Sequence, residues 1–210
     1  MREEPQRIAG RLEGTLRIPD SAPGAIVVIA HPLPTHGGTM RNPFVAQIAR
    51  SAADRGWYAL RFNFRGTGDS AGEFTGGGEE VRDLADAVAH ARALAPGLPL
   101  GIVGYSFGAV MTLRFLEEGG RAEGVALITV PLRDPWQQPR AVPPVPPGTF
   151  IVAADADQFG SADELRLAFP RARIAEVSDV DHFFVGKREV VATLVCDELA
   201  RSFGLPLPLP

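Results

Sequence analysis

LGIVGYSFGAV (Leu100–Val110) opens as an apolar run of strand length and closes as the start of a helical pattern, with Gly104-Tyr105-Ser106-Phe107-Gly108 between the two. Ligands of open α/β sheets bind beyond the carboxyl ends of the strands, so a serine on a strand-to-helix turn stands where chemistry is done. In that context G-x-S-x-G reads as a nucleophile elbow: the serine sits in a strained backbone conformation and the flanking glycines make room for the turns that press against it. The bland alternative is a serine in an ordinary turn, and the rest of the chain has to separate the two.

Outward from this stretch, apolar segments of similar length recur. Ala25–His31, Tyr58–Phe64, Gly124–Val130 and Thr149–Asp155 are each bounded by Gly, Pro or charge. Their hydrophobicity is nearly continuous, as expected of parallel strands covered on both faces. Ala172–Ser178 alternates more and reads as a strand near an edge. Helical periods lie between, at Asn42–Arg55, Glu79–Ala95, Ser106–Glu117, Ala162–Ala168 and Lys187–Phe203. The face of the second is Val81, Leu84, Ala85, Val88, Ala91 and Ala95; that of the last is Val191, Leu194, Val195, Leu199 and Phe203. Arg7–Pro19 alternates loosely, in the manner of an antiparallel hairpin. Strand–helix alternation of this kind predicts an α/β fold, with a mostly parallel central sheet flanked by helices on both faces. With 210 residues and no linker-like stretch, residues 1–210 are expected to form one domain.

Bulk properties narrow the classes. Hydrophobic residues at 45% and charged residues at 22% are ordinary for a globular chain. A net charge of −4 with no basic stripe gives nucleic acid no handle. The charged start, MREEPQRIAGRLEG, lacks the apolar core of a signal peptide, and no run approaches the roughly 18 apolar residues of a membrane span. A cytoplasmic location, no membrane partner, and a monomer or homodimer are the expectations. The single cysteine, Cys196, lies in a helical pattern and reads as a buried structural thiol. No His, Cys and carboxylate cluster has metal-ligand spacing, and His31 with His36 is a weak pair, so neither metal nor cofactor is expected. Arg65-Gly66-Thr67-Gly68-Asp69-Ser70 resembles a piece of a dinucleotide fingerprint, but its third glycine is displaced to Gly72 and no helix opens there.

A serine hydroxyl is a weak nucleophile and needs a base oriented by a third group. Of four histidines, His90 lies on a helix and reads as a surface residue; His31 and His36 lie at and just after the first long strand. His182, in SDVDHFFVGK ahead of the last helix, holds the base position in the chain order Ser, Asp, His. Two carboxylates stand at and just beyond the end of TFIVAAD. Asp155 is close to the strand end, where it reads as a cap or turn former; Asp157 is two residues further out, within reach of an imidazole, and is preferred as the orienting acid. Asp181, next to His182, diverges from it in extended chain. An oxyanion needs two backbone donors. One is the amide of Phe107; the other comes from HPLPTHGGTM, where Pro32 and Pro34 have no N–H and Leu33 is best placed. His31 reads as a structural hydrogen-bonder for that loop.

These blocks together resemble the α/β-hydrolase superfamily, and most of all its small bacterial serine hydrolases without a cap domain, near the dienelactone-hydrolase-like and prolyl-peptidase-like branches. The resemblance rests on HPLPTHGGTMRN, LRFNFRGTGDSAGEF, GYSFG, DADQF and DHFFVGK, in the family's order and over nearly the whole chain. It implies Ser106, Asp157 and His182 as the catalytic triad, with Leu33 and Phe107 as oxyanion donors. Only 18 residues separate Val130 from Thr149, which leaves no room for a helical lid. His36, Tyr105, Trp136, Phe159 and Phe183 are the candidate pocket residues, and the proline-rich stretch Arg133–Gly148 is a candidate wall. The expected activity is hydrolysis of small carboxylic esters. A thioesterase or small peptidase of the same fold, and a non-catalytic binding module, are the alternatives.

Overall fold

The computed structural model describes residues 1–133 and 142–207. Trp136 and part of the proline-rich stretch lie outside the described residues. Eight strands form one sheet: β1 (Arg2–Ile8), β2 (Leu12–Ile18), β3 (Ala25–Ala30), β4 (Trp57–Phe62), β5 (Leu100–Tyr105), β6 (Gly124–Ile128), β7 (Phe150–Ala154) and β8 (Arg173–Val177). Their order is β1-β2-β4-β3-β5-β6-β7-β8. The first two pair antiparallel with each other, β2 pairs antiparallel with β4, and all later pairings are parallel. The helices are α1 (Pro43–Asp54), α2 (Glu80–Leu94), α3 (Phe107–Glu117), α4 (Ala162–Ala168) and α5 (Arg188–Phe203).

Strand alternation divides the core in two. Ala25, Val27 and Ile29 of β3 face α1 and α5, in a cluster that takes in Phe44, Ile48, Val195 and Leu199. Ile26, Val28 and Ala30 face the opposite way, onto Leu84, Val88, Phe107 and Met111 of α2 and α3. Both faces of β3 are therefore buried, which is why its sequence is apolar without interruption. A third cluster seats α4 against β6 and β7 through Ala162 and Leu165.

The hairpin extends further toward the amino terminus than its sequence suggests. Its first strand is Arg2–Ile8 rather than a strand beginning at Arg7, and Glu4 lies opposite Leu16. As an edge strand with alternate residues in water, it tolerates charge, and Pro5 is accommodated there because an edge amide needs no partner. β8 is the other edge. Helix α2 also departs from its apolar pattern, since Glu80 and Asp83 are buried beside Val81 and Leu84. Asp83 is fully enclosed by Arg65 and Arg11, both of whose guanidinium groups it accepts from. Glu80 takes the amides of Thr75 and Gly77 and the Thr75 hydroxyl. His90 is half-buried rather than a free surface residue, and its Nε2 lies 3.0 Å from Oε1 of Gln6. Cys196 is buried among the residues packed on α1, and desolvation raises its thiol to about 11. No helix among the described residues is long and apolar enough to cross a membrane.

This topology creates the site. From β3 the chain runs through α1 to β4 on one side, then crosses through α2 to β5 on the other side of β3. The crevice between the carboxyl ends of β3 and β5 is thus a switch point, where loops diverge and leave a cleft. Ala30 of β3 pairs with Gly104 of β5, so the loop after β3 and the turn after β5 leave the sheet side by side.

Candidate active site

Ser106 follows β5 directly and has φ 55° and ψ −111°, a conformation L-residues rarely adopt. The flanking glycines are a steric requirement of that turn. A Cβ on Gly104 would lie 2.5 Å from the Gly108 carbonyl oxygen and 2.7 Å from Cα of Ala109. A Cβ on Gly108 would overlap the carbonyl oxygen of Ala30 and lie 2.7 Å from its carbon. Helix α3 therefore starts in direct contact with the end of β3. The amide of Phe107, its first residue, sits at the positive end of the helix dipole.

His182 and Asp157 arrive from the loops after β8 and β7. The Ser106 Oγ lies 2.9 Å from His182 Nε2, and His182 Nδ1 lies 2.8 Å from Asp157 Oδ2. A carboxylate can only accept, so Nδ1 carries the proton and Nε2 is left to accept from the serine hydroxyl. The other Asp157 oxygen accepts the Phe159 amide at 2.8 Å, which fixes the carboxylate. All three side chains are buried. The imidazole is also held by its surroundings: the Tyr105 hydroxyl donates to the His182 carbonyl at 3.0 Å, and the Phe159 ring stands edge-on to it at 4.8 Å. Burial pushes the Tyr105 hydroxyl's pKa upward, so it remains a donor at neutral pH.

Asp155 does something else. Its exposed carboxylate accepts the amides of Ala156, Asp179 and Val180, which ties the loop after β7 to the loop after β8. Those bonds, led by the Asp179 amide, hold its pKa below the ordinary carboxylate value. Asp181 accepts the Phe183 amide at 3.0 Å instead.

The loop after β3 is tightly folded. His31 is fully buried; its Nε2 accepts the Phe64 amide at 3.1 Å, so its Nδ1 donates to the Pro32 carbonyl at 2.6 Å. Desolvation lowers its pKa to about 4, which keeps the ring neutral and the tautomer fixed. The Leu33 carbonyl accepts the amides of His36 and Gly38 at 3.1 and 3.0 Å, around a single 3-10 turn at Pro34–His36. Both carbonyls flanking Leu33 are thus pinned. In a trans peptide the Leu33 N–H points opposite to the Pro32 carbonyl, so fixing one fixes the other.

A cleft of about 120 Å³ opens at Ser106. Leu33, His36, Tyr105, Phe159, His182 and Phe183 line it, and among them His36 and Phe183 are the exposed ones. Pro32, Gly38 and Asn42 complete the lining and were not legible as pocket residues. Asn42 also caps α1, its Oδ1 accepting the Phe44 amide at 2.9 Å. Among the described residues no cluster of His, Cys and carboxylates could hold a metal ion.

The fold and this arrangement define the class: an α/β-hydrolase fold without a lid among the described residues. The chain belongs to the hydrolase family described as serine aminopeptidase, S33, whose model matches residues 21–203. The α/β serine hydrolase without lid XC6422, from Xanthomonas campestris, is 26% identical, with a TM-score of 0.83 over 100% of this chain and 98% of that one. The Agrobacterium tumefaciens protein ATU1826 is 28% identical, with a TM-score of 0.79 and full coverage of both chains (100% and 100%). The uncharacterized protein RP471 of Rickettsia prowazekii (strain Madrid E) is 29% identical over 201 residues, 90% of this chain and 84% of that protein.

Proposed function

We propose that this hydrolase is a carboxylesterase acting on small esters by acyl transfer through Ser106. The observation that carries the reading is the unbroken series from Ser106 Oγ through His182 to Asp157, with contacts of 2.9 and 2.8 Å at the mouth of a cleft. Ser106 Oγ forms a bond to the ester carbonyl carbon while His182 Nε2 takes its proton. Asp157 holds the imidazole tautomer and stabilises the imidazolium. Negative charge moves to the carbonyl oxygen, where the amides of Leu33 and Phe107 stabilise it. The ester C–O bond then breaks, the leaving alcohol takes the proton from His182, and water repeats the sequence on the acyl-serine.

Two features favour small esters. The cleft is small, at about 120 Å³, which suits small acyl groups. An aminopeptidase, the activity in the family's description, must pair the free ammonium of its substrate. None of the described lining residues is a carboxylate that could do so.

A chain-length series of p-nitrophenyl esters tests the reading. The expected result is highest kcat/KM for acetyl to butyryl esters, with Ser106→Ala lowering turnover by roughly 10⁴- to 10⁶-fold. Ester hydrolysis that persists in folded Ser106→Ala would overturn it, as would faster cleavage of an aminoacyl anilide than of any ester.

A further inference from the structure

The block Arg61–Phe64, at the end of β4, touches no reacting atom, yet it holds both ends of the loop that carries Leu33. Phe62 and Phe64 point into the core beneath α2 and α3. Arg61 and Asn63 point the other way. Asn63 is fully buried: its Oδ1 accepts the Met40 amide at 2.8 Å, and its Nδ2 donates to Glu13 Oε2 at 2.6 Å. Its own amide donates to the Glu13 carbonyl, and its carbonyl accepts the Ser70 hydroxyl. Arg61 Nη1 donates to the Met40 carbonyl at 3.2 Å, so the backbone of Met40 is gripped on both sides. At the other end of the loop, His31 bridges the Pro32 carbonyl and the Phe64 amide.

One glycine of the pattern that follows, Gly68, is explained by the same pair. A Cβ on Gly68 would overlap both Asn63 Nδ2 and Glu13 Oε2. The Arg65–Ser70 loop closes over this bridge, with the Asp69 amide donating to Glu13 Oε2. Gly68 serves that closure, whereas a Cβ on Gly66 would meet the backbone of Glu73 and Phe74.

The geometry points to Asn63, with Glu13 as its partner, as a positioning residue for the oxyanion donor at Leu33. This rests on the reading of Leu33 as that donor. The lever is short. Met40 is two residues from Gly38, whose amide holds the Leu33 carbonyl and so orients the neighbouring peptide. Oxyanion stabilisation depends on dipoles fixed before charge develops, so slack at Met40 is loss at Leu33. The position calls for an amide: one acceptor faces the Met40 N–H and one donor faces the Glu13 carboxylate, which neither Asp nor Leu supplies.

The test is Asn63→Asp against the double variant Asn63→Asp/Glu13→Gln. Asn63→Asp sets two carboxylates against each other; the double variant again sets a donor against an acceptor, with polarity reversed and the same net charge, while taking from the Asp69 amide its Glu13 acceptor. Asn63→Asp should lower kcat/KM on p-nitrophenyl acetate by about 10- to 100-fold, carried by kcat. Affinity for a boronic acid that mimics the tetrahedral adduct should fall by the same factor. Hydrogen exchange of residues 31–40 should quicken. The double variant should recover part of the loss in all three, the remainder reflecting the Asp69 amide left without its acceptor. Unchanged kcat/KM in Asn63→Asp overturns the inference, as does a folded double variant that recovers nothing. An inactive wild type overturns the esterase reading and this one with it, whereas loss of this inference alone leaves wild-type turnover intact.

Discussion

Gly108→Ala puts the packing of the elbow to a quantitative test. The added methyl would lie 2.7 Å from the Ala30 carbonyl carbon and 2.9 Å from its Cβ, where ordinary contact begins near 3.4 Å. Helix α3 must therefore retreat from β3 by about 1 Å at its first turn, taking the Phe107 amide with it. Alanine's helix propensity returns about 1 kcal/mol, but overpacking of a closed contact costs about 1–3 kcal/mol, so net stability falls. The catalytic effect is larger, because a 1 Å misplacement of a reacting or stabilising group costs about 10²-fold. Esterase kcat/KM and the thermal midpoint are measured together, with Gly24→Ala as the control, since its Cβ would meet only Leu205 Cδ1 at 4.0 Å. A Gly108→Ala enzyme with wild-type kcat/KM would refute the argument that the α3–β3 contact sets the donor geometry.

Three other perturbations follow from the same structure. Asp157→Asn should lower kcat by about 10⁴-fold, while Asp155→Asn, which only loosens a loop tie, should stay within a few-fold; the reverse order in steady-state kinetics would assign the acid to Asp155. His31 is held at about 4 by burial, so as pH falls the unfolded chain takes up this proton first. Stability is then full above about pH 6.5 and declines toward pH 4, by up to about 3 kcal/mol from this residue, and His31→Gln should flatten that slope in urea titrations at pH 7.5 and 4. Tyr105→Phe deletes the donor to the His182 carbonyl and should cost about 1 kcal/mol of stability, read by the same titrations, with kcat reduced and KM little changed.

What the sequence made legible is what repeats locally. Strands β3, β5, β6 and β7 are buried on both faces, so their continuous apolar runs stand out, and the elbow is contiguous in the chain. The hairpin strand Arg2–Ile8 was hidden by its charges, because an edge strand has one wet face and leaves no continuous run. Glu80 and Asp83 interrupt the apolar face of α2, since their partners lie off the helix: Thr75 and Gly77 in the loop just before it for one, Arg65 and Arg11 further away in the chain for the other. Asn63 was invisible for the same reason: its worth depends on Met40 and Glu13, brought together only by the sheet. Asp155 and Asp157 are nearly equivalent as sequence and differ only in whether the side chain meets the imidazole or three loop amides.

The most direct measurement is labelling with a fluorophosphonate probe, with the modified residue located by peptide mass. An activated nucleophile predicts stoichiometric phosphonylation of wild type at Ser106, none in Ser106→Ala, and strongly slowed labelling in His182→Ala. A folded wild-type protein that takes no label, or takes it at another residue, would contradict the account.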